Sequence, residues 1–95
     1  MYALIRQYDG LDANTRETAT RKANAELRPL LAKSDGFVSY ELIQPDDKAD
    51  AIASISVFDT RVNAEASHKV AGDWVRQNLP SLTKPTHVGG ELVSH

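Results

Sequence analysis

Residues 37–58 read Phe37-Val-Ser-Tyr-Glu-Leu-Ile-Gln-Pro-Asp-Asp-Lys-Ala-Asp-Ala-Ile-Ala-Ser-Ile-Ser-Val-Phe58, and the reading of this stretch decides the fold. Phe37 to Ile43 and Ala51 to Phe58 are both rich in β-branched and aromatic residues, which suit a pleated surface. Gln44-Pro45-Asp46-Asp47 ends the first run with turn-forming side chains. Two strands joined by so short a connection form an antiparallel hairpin.

Outward from the hairpin, Ser34-Asp35-Gly36 stops the element before it, with Gly36 suited to a left-handed cap. That element is a helix, because Ala19, Ala23, Leu27, Leu30 and Leu31 recur at helical spacing. Asn14 with Glu17 three positions on resembles a capping box at its start. Pro29 predicts a kink or a loosened last turn. Ahead of it, Tyr2 to Tyr8 reads as a strand closed by the turn pair Asp9-Gly10. Beyond the hairpin, Asp59 or Thr60 can cap a second helix that runs to about Leu79, before Pro80. A final strand spans His87 to Ser94, where Gly89-Gly90 permits a bulge or a close backbone approach.

The order is βαββαβ. It predicts an α+β, ferredoxin-like fold: a four-stranded antiparallel sheet with two helices on one face. At 95 residues the chain is expected to form one domain, 1–95. An antiparallel sheet covered on one face should turn polar residues to the other. Yet Leu4, Ile5, Phe37, Val38, Tyr40, Leu42, Ile43, Ile52, Ile55, Val57 and Phe58 place apolar groups on both parities. A second copy packed on the uncovered face is the simplest cover, so a homodimer through the sheet is expected.

Composition removes whole classes of function. Eleven Lys and Arg against thirteen Asp and Glu leave a net charge of −2, which gives no long-range pull on phosphate. RNA-recognition modules share this element order, but their third strand carries glycines, a basic residue and stacking aromatics. Here that strand has no glycine and one terminal aromatic, so no nucleic-acid partner is expected. With no cysteine, disulfides, thiolate metal sites and cysteine nucleophiles are excluded. Phosphate-cradling glycine loops, GxSxG elbows and HExxH pairs are missing, so neither a cofactor nor a metal is expected. No apolar run approaches the roughly 20 residues that cross a bilayer, and Met1 to Arg6 lacks a basic leader. A cytoplasmic protein with no membrane contact is the expectation.

The second helix is the most informative segment for function. Glu65, Lys69, Asp73 and Arg76 fall on one side, with Glu65–Lys69 and Lys69–Asp73 as the i,i+4 charge pairs of a solvated face. Val62, Ala66, Val70 and Trp74 form the opposing apolar row, with Asn63, Ser67 and Asn78 beside it. Thr20 and Asn24 stand similarly beside Ala23, Leu27 and Leu31 on the first helix. Small polar groups interleaved with Ala on two inward faces can line a pocket, with Trp74 as its wall. The same pattern also fits helix contacts with local hydrogen bonds, and a buried indole is commonly core. His68 borders the apolar face and titrates in the right range for a base or a ligand. His87 and His95 are too scattered to complete a metal site with it. Arg6 and Glu41 interrupt apolar strands; if both point inward they pair with each other, and otherwise Arg6 can hold an anionic oxygen. Tyr8 and Tyr40 suit either a strand or a substrate contact.

The chain resembles the dimeric α/β-barrel superfamily, in its antibiotic-biosynthesis-monooxygenase-like branch. The resemblance lies in Tyr2 to Tyr8, Leu27-Arg-Pro-Leu-Leu-Ala32, Gly36-Phe-Val-Ser-Tyr-Glu-Leu42 and Ser54-Ile-Ser-Val-Phe58. Ala64-Glu-Ala-Ser67 and Asp73-Trp-Val-Arg-Gln-Asn-Leu79 complete it. It implies two protomers packed sheet to sheet, each with a pocket between its sheet and helices. It further implies a cofactor-independent monooxygenase acting on a small aromatic ligand, or a non-catalytic ligand-binding dimer. Trp74, Asn63, Tyr40 and Arg6 are residue types that suit such a pocket, and Ser67 and His68, singled out on the second helix, join them as candidate pocket residues. The heme-degrading branch resembles the chain in a second-helix tryptophan, matched by Trp74. It departs in its first-strand asparagine, absent from Tyr2 to Tyr8, and in a histidine after the tryptophan, where His68 precedes Trp74.

Overall fold

A computed structural model describes residues 1–82 and 84–94. Strands β1 (Tyr2–Tyr8), β2 (Phe37–Ile43), β3 (Ile52–Phe58) and β4 (Thr86–Glu91) form one antiparallel sheet in the order β2-β3-β1-β4. The first helical segment comprises α1 (Ala13–Lys22), a π-turn over Ala23–Leu27 and α2 (Arg28–Ala32); the second is α3 (Arg61–Asn78). This is the ferredoxin-like arrangement. None of the described helices is long and apolar enough to cross a membrane.

One helix cap differs from the sequence reading. Asp12, rather than Asn14, caps α1: its Oδ1 accepts the Thr15 amide at 2.7 Å, and that bond holds its carboxyl below the ordinary aspartate range. Thr60 caps α3, accepting from the Asn63 amide at 3.2 Å. The expected disturbance at Pro29 takes the form of the π-turn just ahead of it. Proline has no N–H to return to the preceding turn and its ring crowds the i−4 carbonyl. The Arg28 amide therefore reaches back five residues, to the carbonyl of Ala23. The wider turn also aligns the core. An i+4 row drifts around a helix of about 3.6 residues per turn, and the extra residue returns it, so that Ala19, Ala23, Leu27 and Leu31 are all buried while Leu30 is 40% exposed.

Gly36 adopts φ +75°, and a Cβ there would run into the Asp59 carboxylate. Asp59 donates its amide to the Gly36 carbonyl at 2.8 Å, tying the start of β2 to the end of β3. A bulge between Phe37 and Ser39 then sets Phe37 edge-on to Phe58, with ring centroids 5.8 Å apart. Strand β4 stops at Glu91, not Ser94, because its partner β1 ends: Tyr2 pairs with Glu91 and the Leu92 amide makes a last bond to the Met1 carbonyl. The Gly89-Gly90 pair keeps regular register. Gly89 serves close approach instead, since a Cβ there would lie 2.9 Å from the Leu4 side chain and 3.0 Å from the Tyr2 hydroxyl.

Residues directly opposite in an antiparallel sheet share a face. Leu4, Arg6 and Tyr8 oppose Ser56, Ser54 and Ile52, and this face packs under the helices with Leu27, Leu31 and Trp74. The other face carries the row Glu41, Ile55, Ile5 and Val88, flanked by Ala3, Val57 and Ile43. Apolar groups thus occupy both faces, and Ile5, Ile43 and Val88 are exposed. Glu41 and Arg6 lie on opposite faces, so they do not pair.

The face of α3 also needs correction. Its buried row is Ala64, Ser67, Ala71, Trp74 and Val75. Val62 is 75% exposed, and Ala66 and Val70 are exposed as well. The predicted apolar row was turned by about one residue, roughly 100°. Alanines and a serine seal the interface because α3 lies close over the sheet, whereas the larger valines sit outside.

Candidate functional site

Arg6 occupies an inward position on β1, one of the two central strands, flanked by Ser54 on β3 and His87 on β4. It is only 9% exposed. Its guanidinium passes under α3, where Nη2 lies 2.7 Å from His68 Nδ1 and donates to the His68 carbonyl at 3.2 Å. A guanidinium has no acceptor, so Nδ1 accepts and the ring proton resides on Nε2. Burial, Arg6 and the neighbouring His87 together push the His68 pKa below the ordinary histidine value. His68 is therefore a neutral ring offering an N–H. The His87 ring stands 5.2 Å away, tilted by 44°.

Burial pushes the Tyr40 phenol up to about 12, against the opposing pull of Arg28 and Arg6. Its hydroxyl stays protonated at neutral pH. Arg28 lies 5.2 Å above the Tyr40 ring and donates to the Tyr40 carbonyl. No carboxylate among the described residues pairs with Arg6. A buried cation with only neutral partners is costly.

Three hollows meet at Arg6. An inner cavity of about 40 Å³ is walled by Tyr8, Tyr40, Leu42, Ile52 and Trp74. A second, of about 20 Å³, is bordered by Ser67, His68 and His87. A mouth of about 390 Å³ opens between α3 and β4, bounded by Tyr8, His68, Arg76, Lys84 and His87. The inner cavity is well below the roughly 150 Å³ that admits benzene, whereas the mouth falls in the roughly 300–1,000 Å³ range of ligand sites.

Of the residues singled out from the sequence, Arg6, Tyr40, His68, Ser67 and Trp74 border the two inner hollows. Asn63 does not: it sits at the start of α3, where its amide donates to Asp59 Oδ1 at 2.8 Å. Ser67 donates to the Ala64 carbonyl at 2.7 Å, one turn back. Asn78 serves the Trp74 backbone carbonyl, not the indole. Thr20 bonds the Arg16 carbonyl and Asn24 accepts from Arg28, and neither borders the hollows at Arg6. The sequence reading set His87 aside, and Ser54 and Lys84 escaped it as site residues. The pairing of β4 with β1 brings His87 beside Arg6, and no local pattern announces that register. His95 lies outside the described residues. Among the described residues, no cluster of three or more His, Asp or Glu side chains is grouped to hold a metal ion.

No family model matches the sequence, and no curated protein matches it. Solved structures do match over nearly the whole chain. SnoaB, a cofactor-independent oxygenase from Streptomyces nogalater, aligns with 99% of this chain and 93% of its own, at 17% identity and a TM-score of 0.69. A Nitrosomonas europaea protein, provisionally assigned as an antibiotic biosynthesis monooxygenase, aligns with 99% of this chain and all of its own, at 16% identity and 0.77. A dimeric ferredoxin-like protein from an uncultured marine organism aligns with 99% and 95%, at 12% identity and 0.73. At such identities the likeness is one of fold. The chain has the ferredoxin-like fold of the antibiotic-biosynthesis-monooxygenase-like proteins.

Proposed function

We propose that the chain is a homodimeric, cofactor-independent oxygenase of a small aromatic substrate, bound at the mouth with its oxidisable ring toward Arg6. The observation that carries this reading is a buried guanidinium without an anionic partner, between an aromatic-walled cavity and a ligand-sized opening. An electron-rich aromatic anion reduces dioxygen itself, so the protein need only bind, desolvate and stabilise that anion. Arg6 supplies the charge, and His68 Nε2–H supplies a hydrogen-bond donor. With an anthrone, the ring methylene becomes a carbonyl, taking one atom of dioxygen. The other atom leaves as water with the two methylene hydrogens. SnoaB, which shares the fold, is a cofactor-independent oxygenase.

The homodimer rests on the apolar sheet face and on the dimeric relative of the same fold. Oxygen uptake with 1,8-dihydroxyanthrone, compared between the protein and its Arg6→Gln variant, tests the reaction.

A second reading has its own support. His68 Nδ1 is committed to Arg6, which removes that nitrogen as a proton acceptor. A non-catalytic dimer that holds the same class of ligand requires no base. It predicts a raised melting temperature with the ligand and no oxygen consumption.

A further inference from the structure

The mouth carries a charge pattern that an uncharged aromatic ligand leaves unexplained. Its described walls include Arg6, His68, Arg76, Lys84 and His87 and no acidic side chain, in a protein whose net charge is −2. The basic character is therefore local. Arg76 is held by Asp73 on the same helix, at the outer edge. Arg6 also borders both inner hollows, whereas Lys84 borders the mouth alone, so cationic groups stand at two depths.

Lys84 has a second peculiarity. Its φ is +54°, in the left-handed region that non-glycine residues seldom occupy. It precedes Pro85, and a proline ordinarily drives the residue before it to extended backbone. Such conformations cost free energy and concentrate at binding and catalytic sites. Here the strained residue carries an ammonium group at the rim of a ligand-sized opening.

We propose that the mouth is an organic-acid site: its ligand is an aromatic carboxylate whose acid group pairs with Lys84 at the rim, while its ring is directed inward toward Arg6. The ligand thereby provides the anionic charge that this basic pocket lacks. This assignment deepens the oxygenase reading by naming the charge class of its substrate, and it equally suits the non-catalytic reading.

The probes are para-hydroxybenzoate, its neutral isostere para-hydroxybenzamide, and inorganic phosphate. Titration of the full chain by calorimetry, with amide chemical shifts to locate the contact, gives the readout. The acid is expected to bind at least tenfold tighter than the amide, to shift the Lys84 and His87 amides, and to outcompete phosphate. Lys84→Gln, at the rim and away from the core, should weaken the acid at least fivefold and leave the amide unchanged. Arg6→Met should weaken both, and its circular dichroism reports whether it folds. Equal affinity for acid and amide, no binding of either at millimolar concentration, or phosphate binding as tightly as the acid each overturns the proposal. Acid binding without oxygen uptake from an oxidisable aromatic acid leaves this site standing and removes the oxygenase. Uptake from neutral anthrones with no preference for acids does the reverse.

Discussion

Arg6 Nη2 lies 2.7 Å from His68 Nδ1, joining β1 to α3 at the border of the second hollow and the mouth. The contact fixes the ring tautomer, and burial first, with Arg6 and His87 beside it, lowers the His68 pKa. In the unfolded chain His68 takes up a proton near its ordinary value of 6.5, whereas in the folded protein it does so only at lower pH. The unfolded state then binds more protons, so stability is full above about pH 6.5 and declines as the pH falls toward the folded-state value. Melting temperatures measured between pH 8 and about pH 5 should fall across that window, and His68→Asn should flatten the fall. Asp9 and Asp12 have lowered values from an ordinary 3.8, so their contributions are lost only at more acidic pH.

Neighbouring leucines on one helix should differ widely. Leu31 is fully buried and Leu30 is not, because the π-turn directs one toward the sheet and the other outward. Leu31→Ala should cost about 2–5 kcal/mol and Leu30→Ala about 1 kcal/mol or less. Urea denaturation measures both.

Two glycines separate backbone strain from crowding. Gly10 and Gly36 have nearly the same positive φ, but only at Gly36 would a Cβ strike neighbouring atoms, among them Asn63 Nδ2 at 2.6 Å. Gly10→Ala should cost about 1 kcal/mol. Gly36→Ala should cost clearly more, about 2–4 kcal/mol, since Asp59 and Asn63 must also move. Thermal denaturation of the two variants gives the difference.

The apolar row across the open sheet face should be the dimer seam. Ile5 sits at its centre, directly between Ile55 and Val88. Ile5→Glu should convert a dimeric mass to a monomeric one in light scattering with little change in circular dichroism. A wild-type protein that is monomeric at all concentrations contradicts the seam.

The β-branched and aromatic runs Phe37 to Ile43 and Ala51 to Phe58, parted by Gln44-Pro45-Asp46-Asp47, made the hairpin legible, and the element order was read outward from it. Pro29 and Gly36 announced their disturbances through chemistry that acts within one or two turns. The face of α3 was less legible because its sealing residues are Ala64, Ser67 and Ala71, whose small size matters only against a close sheet. Val62 and Val70 looked like core and lie outside. Among the site residues, Arg6 stood out as a charge in an apolar strand, but its partner could not be read locally. Glu41 was a reasonable choice until pairing put the two on opposite faces. His87 and Lys84 depend on β4 docking beside β1, a contact about 80 residues apart in sequence that no nearby pattern encodes.

The most direct test of the proposed oxygenation is an oxygen-electrode trace with 1,8-dihydroxyanthrone at neutral pH, corrected for autoxidation. Protein-dependent uptake of one dioxygen per substrate, lost in Arg6→Gln and retained in Asn63→Ala, is the expected result. A trace that matches buffer alone, with substrate bound at the mouth by chemical-shift mapping, would contradict catalysis and leave a binding dimer.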